Sequence, residues 1–474
     1  MSINDLSVLT LNCWGLYFIA KQRKTRLRAI ADALSNENHD IVTLQEIWML
    51  EDFEYLKSKV ENVLPFSNYY YSGALGSGLA ILSRFPIVST SYFRYTLAGR
   101  PLKIFHGDYY VGKGCASACI NHPDIGIIEV FTTHLHAGYG DVDEYEGHRV
   151  TESWELSNLL RASAAQGRQV IATGDFNSIP TSYNYALLKK HAFMTDAWLE
   201  AHSERLSQTG LDPGHRSPHE CIQHLGITCD SPANTWSKHF LKQQPHSKQV
   251  GDRLDYIFYR RTSRITCTGS VVAMTDYIPG TQMCYSDHFA VQATFSINLQ
   301  PTQVNSTSPS AVQLSNPSFT TFPLSIAQAV LTLLRRDQVA TRKTAYRLLL
   351  LFGVAIIMLL FLCVSTVAVL PDWIAPKDES QLKFLLGSLA SSLVMIISAV
   401  IATICVVVGF VFGHTEERAL RQFIEEIQLL VASIQEDSRS DTPFVHLSNQ
   451  ASDNPSRETF YNEFNERTRL LDDA

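Results

Sequence analysis

Two long segments without a charged residue constrain this chain more than any other feature of its sequence. Residues 348–370 form an uncharged, mostly apolar run of 23 residues, and residues 384–412 form a second run of 29. As an α-helix, each run is long enough to cross a hydrocarbon core of about 30 Å. Charge-free helices of this length are rare inside soluble domains. The sequence therefore predicts two transmembrane helices that form a hairpin.

The charges that flank the two runs predict their orientation. The basic residues before the first run are Arg335, Arg336, Arg342, Lys343 and Arg347. The loop between the runs carries two lysines and three acidic residues. Because cytoplasmic flanks are enriched in Lys and Arg, we expect the regions before and after the hairpin to be cytosolic. The first residues of the chain do not resemble a secretory signal, and we expect an internal membrane such as the endoplasmic reticulum.

The rest of the chain divides by composition. Strand-like and helical patterns alternate up to residue 299 and predict one layered α/β domain. A Pro-, Ser- and Thr-rich stretch at 300–325 predicts a flexible linker. The predicted parts are a main domain at 1–299, a linker and basic membrane-proximal segment at 300–347, transmembrane helices at 348–370 and 384–412 joined by a loop at 371–383, and a charged helix with a disordered tail at 413–474.

Charge and cysteine content exclude some classes of protein. The chain of 474 residues has a formal charge of −7. Residues 1–300 contain 26 Lys and Arg against 29 Asp and Glu, a net charge of −3. This is a poor match to long nucleic acid, and we expect no nucleic-acid partner. The nine cysteines are dispersed without CxxC spacing, which favours free thiols over a disulfide framework or a cysteine zinc site.

Polar residues stand where predicted apolar strands end. The run 170–173 leads into Asp175 and Asn177, and Glu46 follows the run 41–44. A glutamate straight after a buried strand is costly to bury without a partner, and a cation is one such partner. The residues in comparable positions elsewhere are Asn12, His134, His136, Asp255, Asp287 and His288. Taken singly, each of these is also compatible with a turn or an exposed strand end.

Two further stretches leave alternatives open. In the stretch 107–114, glycines flank Lys113, so that the backbone can approach an anion while the ammonium supplies a charge. The stretch lacks the Walker spacing, and a plain hairpin turn remains the alternative. Residues 203–250 are rich in Ser, Pro, His and Gln, and we interpret them as a long variable loop.

The combined motifs resemble the endonuclease/exonuclease/phosphatase superfamily, in the order that this superfamily has them, over about residues 5–297. Five motifs narrow the resemblance to neutral sphingomyelinases and fungal inositol phosphosphingolipid phospholipases C. They are Asn12-Cys13-Trp14-Gly15, Gln45-Glu46-Ile47-Trp48, Ser77-Gly78-Leu79, the Gly-Asp-x-x-x-Gly-Lys-Gly stretch at 107–114 and Thr133-His134-Leu135-His136. The resemblance implies a DNase-I-like two-layer β-sandwich flanked by helices, with the transmembrane hairpin appended.

The resemblance also implies roles for residues. Glu46, with Asn12 and Asp287, is expected to hold Mg²⁺, for which Mn²⁺ can substitute. Asp108 and Lys113 are expected to bind substrate phosphate or anionic lipid.

The expected catalytic residues form a second group. His288 is expected to be the general base, with Asp255 fixing its tautomer. Asp175 and Asn177 are expected to orient water and phosphate, and His134 to donate to a phosphoryl oxygen.

The implied reaction is hydrolysis of a sphingolipid phosphodiester to ceramide and a phosphorylated headgroup. The basic residues before the first apolar run predict in addition that anionic lipid activates the enzyme. The headgroup, phosphocholine or phosphoinositol, stays open. Three other readings also remain: a nuclease or phosphoinositide phosphatase on the same scaffold, a membrane glycerophospholipase C, and a membrane-tethered scaffold without catalysis.

Overall fold

Two six-stranded β-sheets face each other, and helices cover their outer surfaces. The computed structural model of the chain describes residues 5–17, 19–139, 143–203, 217–237, 250–299, 322–373 and 380–440. The first sheet has the strand order β11 (Ile265–Ala273), β12 (Ala290–Ile297), β1 (Asp5–Asn12), β2 (Ile41–Gln45), β4 (Ala80–Ser83) and β3 (Phe66–Tyr69). The second has the order β5 (Ile87–Arg94), β6 (Gly114–His122), β7 (Gly126–His134), β8 (Gln169–Asp175), β10 (Asp255–Tyr259) and β9 (Thr195–Asp196). This arrangement confirms the two-layer sandwich.

The helices connect and cover the sheets. They are α1 (Arg23–Asn36), α2 (Leu50–Val60), α3 (Asp108–Val111), α4 (Glu146–Ala165), α5 (Tyr183–Ala186), α6 (Ala197–Ala201), α7 (Pro218–Leu225), α8 (Leu324–Trp373), α9 (Ser380–Val406) and α10 (Gly413–Ser440). A 3₁₀ turn spans Ile104–His106, and π-helical turns span Leu187–His191 and Val407–Phe412.

The core has three apolar layers. The middle layer lies between the sheets, where Val8 and Ile81 of the first sheet pack with Val130 of the second. The outer layers lie between the first sheet and α1 and α2, and between the second sheet and α4. Central strands are therefore buried on both faces, which explains why β1, β2 and β8 are nearly continuous apolar runs in the sequence.

Strand direction brings the polar strand ends to one edge. β1 runs parallel to β2, and β7 runs parallel to β8, so that their carboxyl ends coincide. β12 is antiparallel to β1, and β10 is antiparallel to β8, so that these two strands begin where the others end. Hydrogen bonds between Thr43 and Thr173 and between Gln45 and Thr132 join the sheets close to this edge. The sandwich thus presents its polar strand ends together.

The described C-terminal helices overlap only the end of the linker expected at 300–325. Helix α8 begins at Leu324 and continues without a break through the basic segment and the first apolar run to Trp373. The segment 322–334 is largely buried, with Val330 and Leu334 inaccessible to solvent. The first part of the expected linker, 300–321, lies outside the described residues, as do 374–379 of the expected loop and the tail beyond 440.

Two helices of the described chain are long and apolar enough to cross a membrane. The predicted span 348–370 lies within α8, and the span 384–412 lies within α9 and the π-helical turn that follows it. Leu350, Ile357 and Phe361 on α8 point outward, and so do Ile396 and Phe410 on the second. An exposed apolar surface of this extent is typical of helices that face lipid.

Residues 203–250 are not one variable loop. Within them, α7 begins with a capping box between Ser217 and Glu220, and the following stretch 226–237 is packed and mostly buried. Residues 204–216 and 238–249 lie outside the described residues. The Ser- and His-rich composition obscured an apolar pattern in which Cys221, Ile222 and Ile227 pack with Phe289 of the main domain.

Candidate active site

The polar strand ends meet around Asn12 and Asp175. Asn12 closes β1, and its amide nitrogen donates to Glu46 Oε1 at 3.0 Å and to Asp175 Oδ2 at 3.0 Å. Its amide oxygen accepts from the backbone of Trp14 at 3.0 Å. Asn12 therefore bridges two carboxylates that come from different sheets.

Backbone conformation at this edge is unusual. Glu46 has φ 60 and Asn177 has φ 44, both in the left-handed region that side-chain-bearing residues rarely adopt. Such conformations concentrate at functional sites, where the surrounding structure holds them. Gly174 has φ 136, and a Cβ there would collide with the Thr133 carbonyl, so glycine lets β8 lie against β7 just before Asp175.

His288 and Asp255 form a buried hydrogen-bonded pair. Nδ1 of His288 donates to Asp255 Oδ2 at 2.8 Å, which leaves Nε2 as the ring nitrogen that can exchange a proton within the site. That nitrogen lies 3.8 Å from Asp175 Oδ2 and 3.4 Å from the Cys229 sulfur. Burial alone would lower the pKa of His288, but Cys229, Asp255 and Asp175 raise it well above its ordinary value. This environment makes His288 a strong proton acceptor.

His134 and Asn177 line the same space. His134 Nε2 is 3.5 Å from Asp175 Oδ2, and burial holds the pKa of His134 well below its ordinary value. A neutral imidazole can still donate one N–H. The backbone of Asn177 donates to Asp175 Oδ1 at 2.9 Å, and its amide donates to the Leu135 carbonyl at 3.0 Å. Hydrogen bonds thus orient both carboxylate oxygens of Asp175, from Asn12 to Oδ2 and from Asn177 to Oδ1.

The acidic residues at this edge have the properties of a cation site. Burial is the main cause that raises the pKa of Glu46, of Asp287 and of Asp175, the last to about 6. Neighbouring carboxylates raise these values further. Several buried carboxylates close together are costly unless a cation compensates them. Carboxylate and amide oxygens are the ligands that hard divalent cations prefer, so the residues fit such an ion.

A second grouping can also hold a metal. One ligand atom each of Asp175, Asp255 and His288 lies within 4.8 Å of the others. In this grouping, the 2.8 Å hydrogen bond already joins His288 to Asp255, so a metal ion bound by both residues would replace that bond. Among the described residues, Asp255 Oδ1 and His134 Nδ1 are buried without a hydrogen-bond partner.

Lys113 lies in a buried ion pair beside the site. Its ammonium is buried, pairs with Asp108 Oδ1 at 2.9 Å and donates to the Leu135 carbonyl at 2.7 Å. Burial opposes ionisation of Asp108, but Lys113 and His136 lower the pKa of Asp108 to about 2. In this arrangement Lys113 does not face a lipid surface. Instead, it adjoins Asn177 through the shared Leu135 carbonyl.

Several residues of the site were not predicted from the sequence. Cys229 contacts His288, and Asn234 donates to the backbone carbonyls of Ser286 and Asp287; both lie in the stretch first interpreted as a loop. Tyr139 donates to Asp108 Oδ2 at 2.7 Å. The short run Gly226-Ile227-Thr228-Cys229 is itself strand-like, and that pattern was the available signal.

The main domain is bound to the C-terminal helices next to this site. Glu416 Oε1 accepts from Arg100 at 3.1 Å, His148 at 3.2 Å and Thr341 at 3.0 Å. The Trp154 indole donates to Glu426 at 2.8 Å. A Cβ on Gly147 would collide with the Asp337 carboxylate, so glycine permits α8 to approach α4. We refer to this region, built around Glu416, as the helix contact.

Comparison with known proteins identifies the family. The model of the Endonuclease/Exonuclease/phosphatase family matches residues 9–288, which contain the whole edge described above. The chain therefore belongs to the endonuclease/exonuclease/phosphatase family.

Within that family, the chain is similar to phospholipases of sphingolipids. It is 34% identical to inositol phosphosphingolipids phospholipase C of Schizosaccharomyces pombe, over 90% of this chain and 94% of that protein. It is 31% identical to the protein of the same name in Saccharomyces cerevisiae, over 89% of each chain. It is 32% identical to human sphingomyelin phosphodiesterase 2, over 64% of this chain and 67% of that protein.

Proposed function

We propose that this chain is a membrane-bound phosphodiesterase that hydrolyses a sphingolipid phosphodiester to ceramide and a phosphorylated headgroup. The observation that carries the proposal is the His288–Asp255 pair, which faces Asp175 in a buried space rich in carboxylates. The named relatives act on inositol phosphosphingolipids or sphingomyelin, and they span most of this chain or its whole main domain. The two apolar helices give such an enzyme access to a substrate that stays in the bilayer.

The residues support hydrolysis by water. Nε2 of His288 takes a proton from the water that attacks phosphorus, while Asp255 keeps the other ring nitrogen protonated. Asp175, held by Asn12 and Asn177, orients the water. His134 donates a hydrogen bond to a phosphoryl oxygen. The bond from phosphorus to the ceramide oxygen then breaks, and that oxygen takes up a proton.

Glu46 and Asp287 are the residues that would hold a divalent cation, which we propose to be Mg²⁺ with Mn²⁺ as a substitute. When bound, such an ion neutralises phosphate charge and favours the departure of the ceramide oxygen. Asn12 orients the carboxylates of Glu46 and Asp175 and is not itself a ligand of the cation. Its amide nitrogen donates to both carboxylates, and its oxygen accepts from the backbone of Trp14.

A substrate panel tests the proposal. The purified full chain is assayed on sphingomyelin, inositol phosphoceramide, phosphatidylcholine and single-stranded DNA, with and without Mg²⁺. We expect cleavage of one or both sphingolipids only, which also determines the headgroup. Hydrolysis of phosphatidylcholine or DNA at a comparable rate would favour one of the alternative activities. No turnover on any substrate would favour the scaffold reading.

The proposed topology places the main domain in the cytosol of an internal membrane, because the basic residues precede the first apolar run. Asn305-Ser306-Thr307 is an acceptor sequence for N-glycosylation, outside the described residues. In the cytosol it stays unmodified. A glycosidase-sensitive mobility shift that Asn305→Gln removes would instead assign the domain to the lumen.

We also propose that anionic lipid activates the enzyme through the basic residues of α8. All five are exposed on one continuous helix that leads into the first apolar run, namely Arg335, Arg336, Arg342, Lys343 and Arg347. The helix that carries these residues lies against the main domain, because the Asp337 carboxylate on α8 packs on Gly147 of α4. Anionic lipid then acts on a main domain that α8 already holds near the membrane.

A further inference from the structure

A short turn beside the site exposes apolar side chains to an unusual degree. Leu102 and Ile104 are 49% and 62% exposed, and Phe105 is as exposed as a side chain can be, at 102%. The three fall within four consecutive positions, which end in the 3₁₀ turn Ile104–His106. We refer to residues 101–106 as the apolar turn. Single exposed apolar residues are ordinary on soluble proteins, but a cluster of three large ones marks an interaction surface.

The apolar turn is held in place from both ends. The Tyr110 hydroxyl donates to the Pro101 carbonyl at 2.7 Å, and Lys103 pairs with Glu144 at 2.6 Å. At the other end, the His106 ring stacks on Tyr139 at 4.1 Å, and the Tyr139 hydroxyl lies 2.9 Å from the His106 carbonyl. The exposure of Phe105 is therefore a property of an anchored turn.

The turn lies next to the second apolar helix. The Tyr109 ring contacts the Phe412 ring at 5.5 Å, and Phe412 is the last residue of the uncharged run 384–412. On the other side, Arg100 binds Glu416 four residues beyond Phe412. The residues that flank the turn thus contact the helix at the point where its apolar run ends. If that run crosses a membrane, its end marks the membrane boundary.

The same turn adjoins the candidate active site. Tyr139, which fixes His106, also donates to Asp108, and Asp108 pairs with Lys113 beside Asn177. The neighbouring loop contributes a further exposed apolar residue, Leu75, and joins this region through the hydrogen bond from Ala74 N to the Tyr110 carbonyl at 2.7 Å. An apolar rim therefore extends beside the site, on the side where the helix ends.

We propose that the apolar turn inserts Leu102, Ile104 and Phe105 into the lipid leaflet as a third membrane attachment, additional to the two helices. The inserted turn holds the site entrance at the headgroup layer. The occupant is a bilayer rather than a protein, because the residues that flank the turn contact the second apolar helix at Phe412, where the run proposed to cross the membrane ends. The inference rests on the proposed membrane crossing, and it does not depend on which lipid is hydrolysed.

A depth measurement tests the insertion directly. The full chain is reconstituted in nanodiscs of phosphatidylcholine with phosphatidylserine, and a spin label is placed at position 105 through a genetically encoded keto amino acid. Position 271 is the matched control, because Val271 is also an exposed apolar residue, at 53%, but lies on strand β11 of the other sheet. We expect the label at 105 to be accessible to oxygen and shielded from a water-soluble nickel complex, and the label at 271 to show the reverse. Equal nickel accessibility at both positions would overturn the proposal.

Variants give a second readout. Phe105→Asp should lower hydrolysis of a bilayer sphingolipid by about tenfold, because insertion of one aromatic side chain is lost. Hydrolysis of a short-chain, water-soluble analogue should stay unchanged, and Val271→Asp should leave both rates unchanged. An equal loss on both substrates would mean that the turn acts on site geometry, against the proposal. If the wild-type chain hydrolyses neither lipid, the proposed function fails, while the depth measurement still decides whether the turn inserts.

Discussion

The candidate active site and the helix contact both bury charged residues, but they treat them in opposite ways. At the helix contact, Glu416 is surrounded by donors from Arg100, His148 and Thr341. At the site, Glu46 and Asp175 share one amide donor, Asn12, and face further carboxylates. The charge of Glu416 is compensated by donors within the fold, so that it stabilises the attachment of the C-terminal helices to the main domain. Uncompensated charge is the property that the proposed cation site and proton transfer require.

The comparison also separates two kinds of consequence. Removal of a side chain from the site should reduce turnover and leave stability nearly unchanged, since the carboxylates there oppose one another in the fold. Removal of Glu416 should loosen the attachment of α4 to the C-terminal helices, because three donors lose their shared acceptor. The contrast predicts different measurements for each region.

The largest effect is expected for His288→Ala and Asp175→Ala. Each should lower turnover by about 10² or more, because a general base and the carboxylate that orients water are lost. The measurement is the hydrolysis rate on the best sphingolipid of the panel, with circular dichroism to show that the fold persists. His219→Ala, an exposed histidine on α7, is the matched control and should behave as wild type. Wild-type turnover in either site variant would contradict the mechanism.

A smaller but specific effect is expected for Glu46→Gln. A neutral amide is a weaker ligand for a hard cation, and we expect the Mg²⁺ concentration for half-maximal activity to rise by roughly tenfold or more. EDTA should abolish wild-type activity, Mg²⁺ or Mn²⁺ should restore it, and Ca²⁺ should do so poorly. Glu51→Gln, on the exposed face of α2, controls for loss of charge. Full activity in EDTA would contradict the assignment of a cation to Glu46.

The difference between the two regions also explains what the sequence could reveal. Glu46, Asp175 and His288 each adjoin a buried apolar strand, so that a local pattern predicts their position. That pattern predicted a layered α/β domain with polar residues at its strand ends, and the two-layer sandwich followed from the resemblance to the superfamily. Metal and catalytic roles stay predictions.

The helix contact has no such local signal. Glu416 lies 316 residues from Arg100 in the sequence and 268 from His148, and its neighbours there are polar on a charged helix. Only the tertiary arrangement reveals that it is partly buried and bonded to His148 of α4. The first turns of α8 precede the basic segment, and the burial of Val330 and Leu334 indicates that tertiary packing stabilises them.

Breaking the helix contact should have a moderate effect. In Glu416→Gln, three donors lose a charged acceptor, and we expect the free energy of local opening of α4 to fall by about 1–3 kcal/mol. Hydrogen exchange of the amides of 146–165 in nanodiscs measures this change. Glu417→Gln, at the next position, is the matched control. Turnover of a short-chain soluble substrate should remain near wild type; a loss as large as that of His288→Ala would show that the two regions are not separable.

The smallest effect is expected at the exposed basic face of α8. A helix rises 1.5 Å per residue, so Arg342 lies roughly 9 Å along the axis from residue 348, and Arg335 roughly 20 Å. Charge attraction to an anionic leaflet decays over about 8 Å at physiological salt, and a charge near the surface adds about 1 kcal/mol. Arg342→Gln should therefore reduce activation by phosphatidylserine severalfold, whereas Arg335→Gln should reduce it little.

Titration of phosphatidylserine into neutral mixed micelles, at low and high salt, measures both variants, while Lys343 and Arg347 are kept to preserve orientation. An equal response of the two variants would mean that the membrane surface does not lie at the start of the uncharged run. An undiminished response in both would assign activation by anionic lipid to residues outside this face. Activation would then have to arise within the main domain or at the helix contact. In the latter case, lipid would change the attachment of the C-terminal helices to the main domain, and not the attraction of basic residues to the membrane.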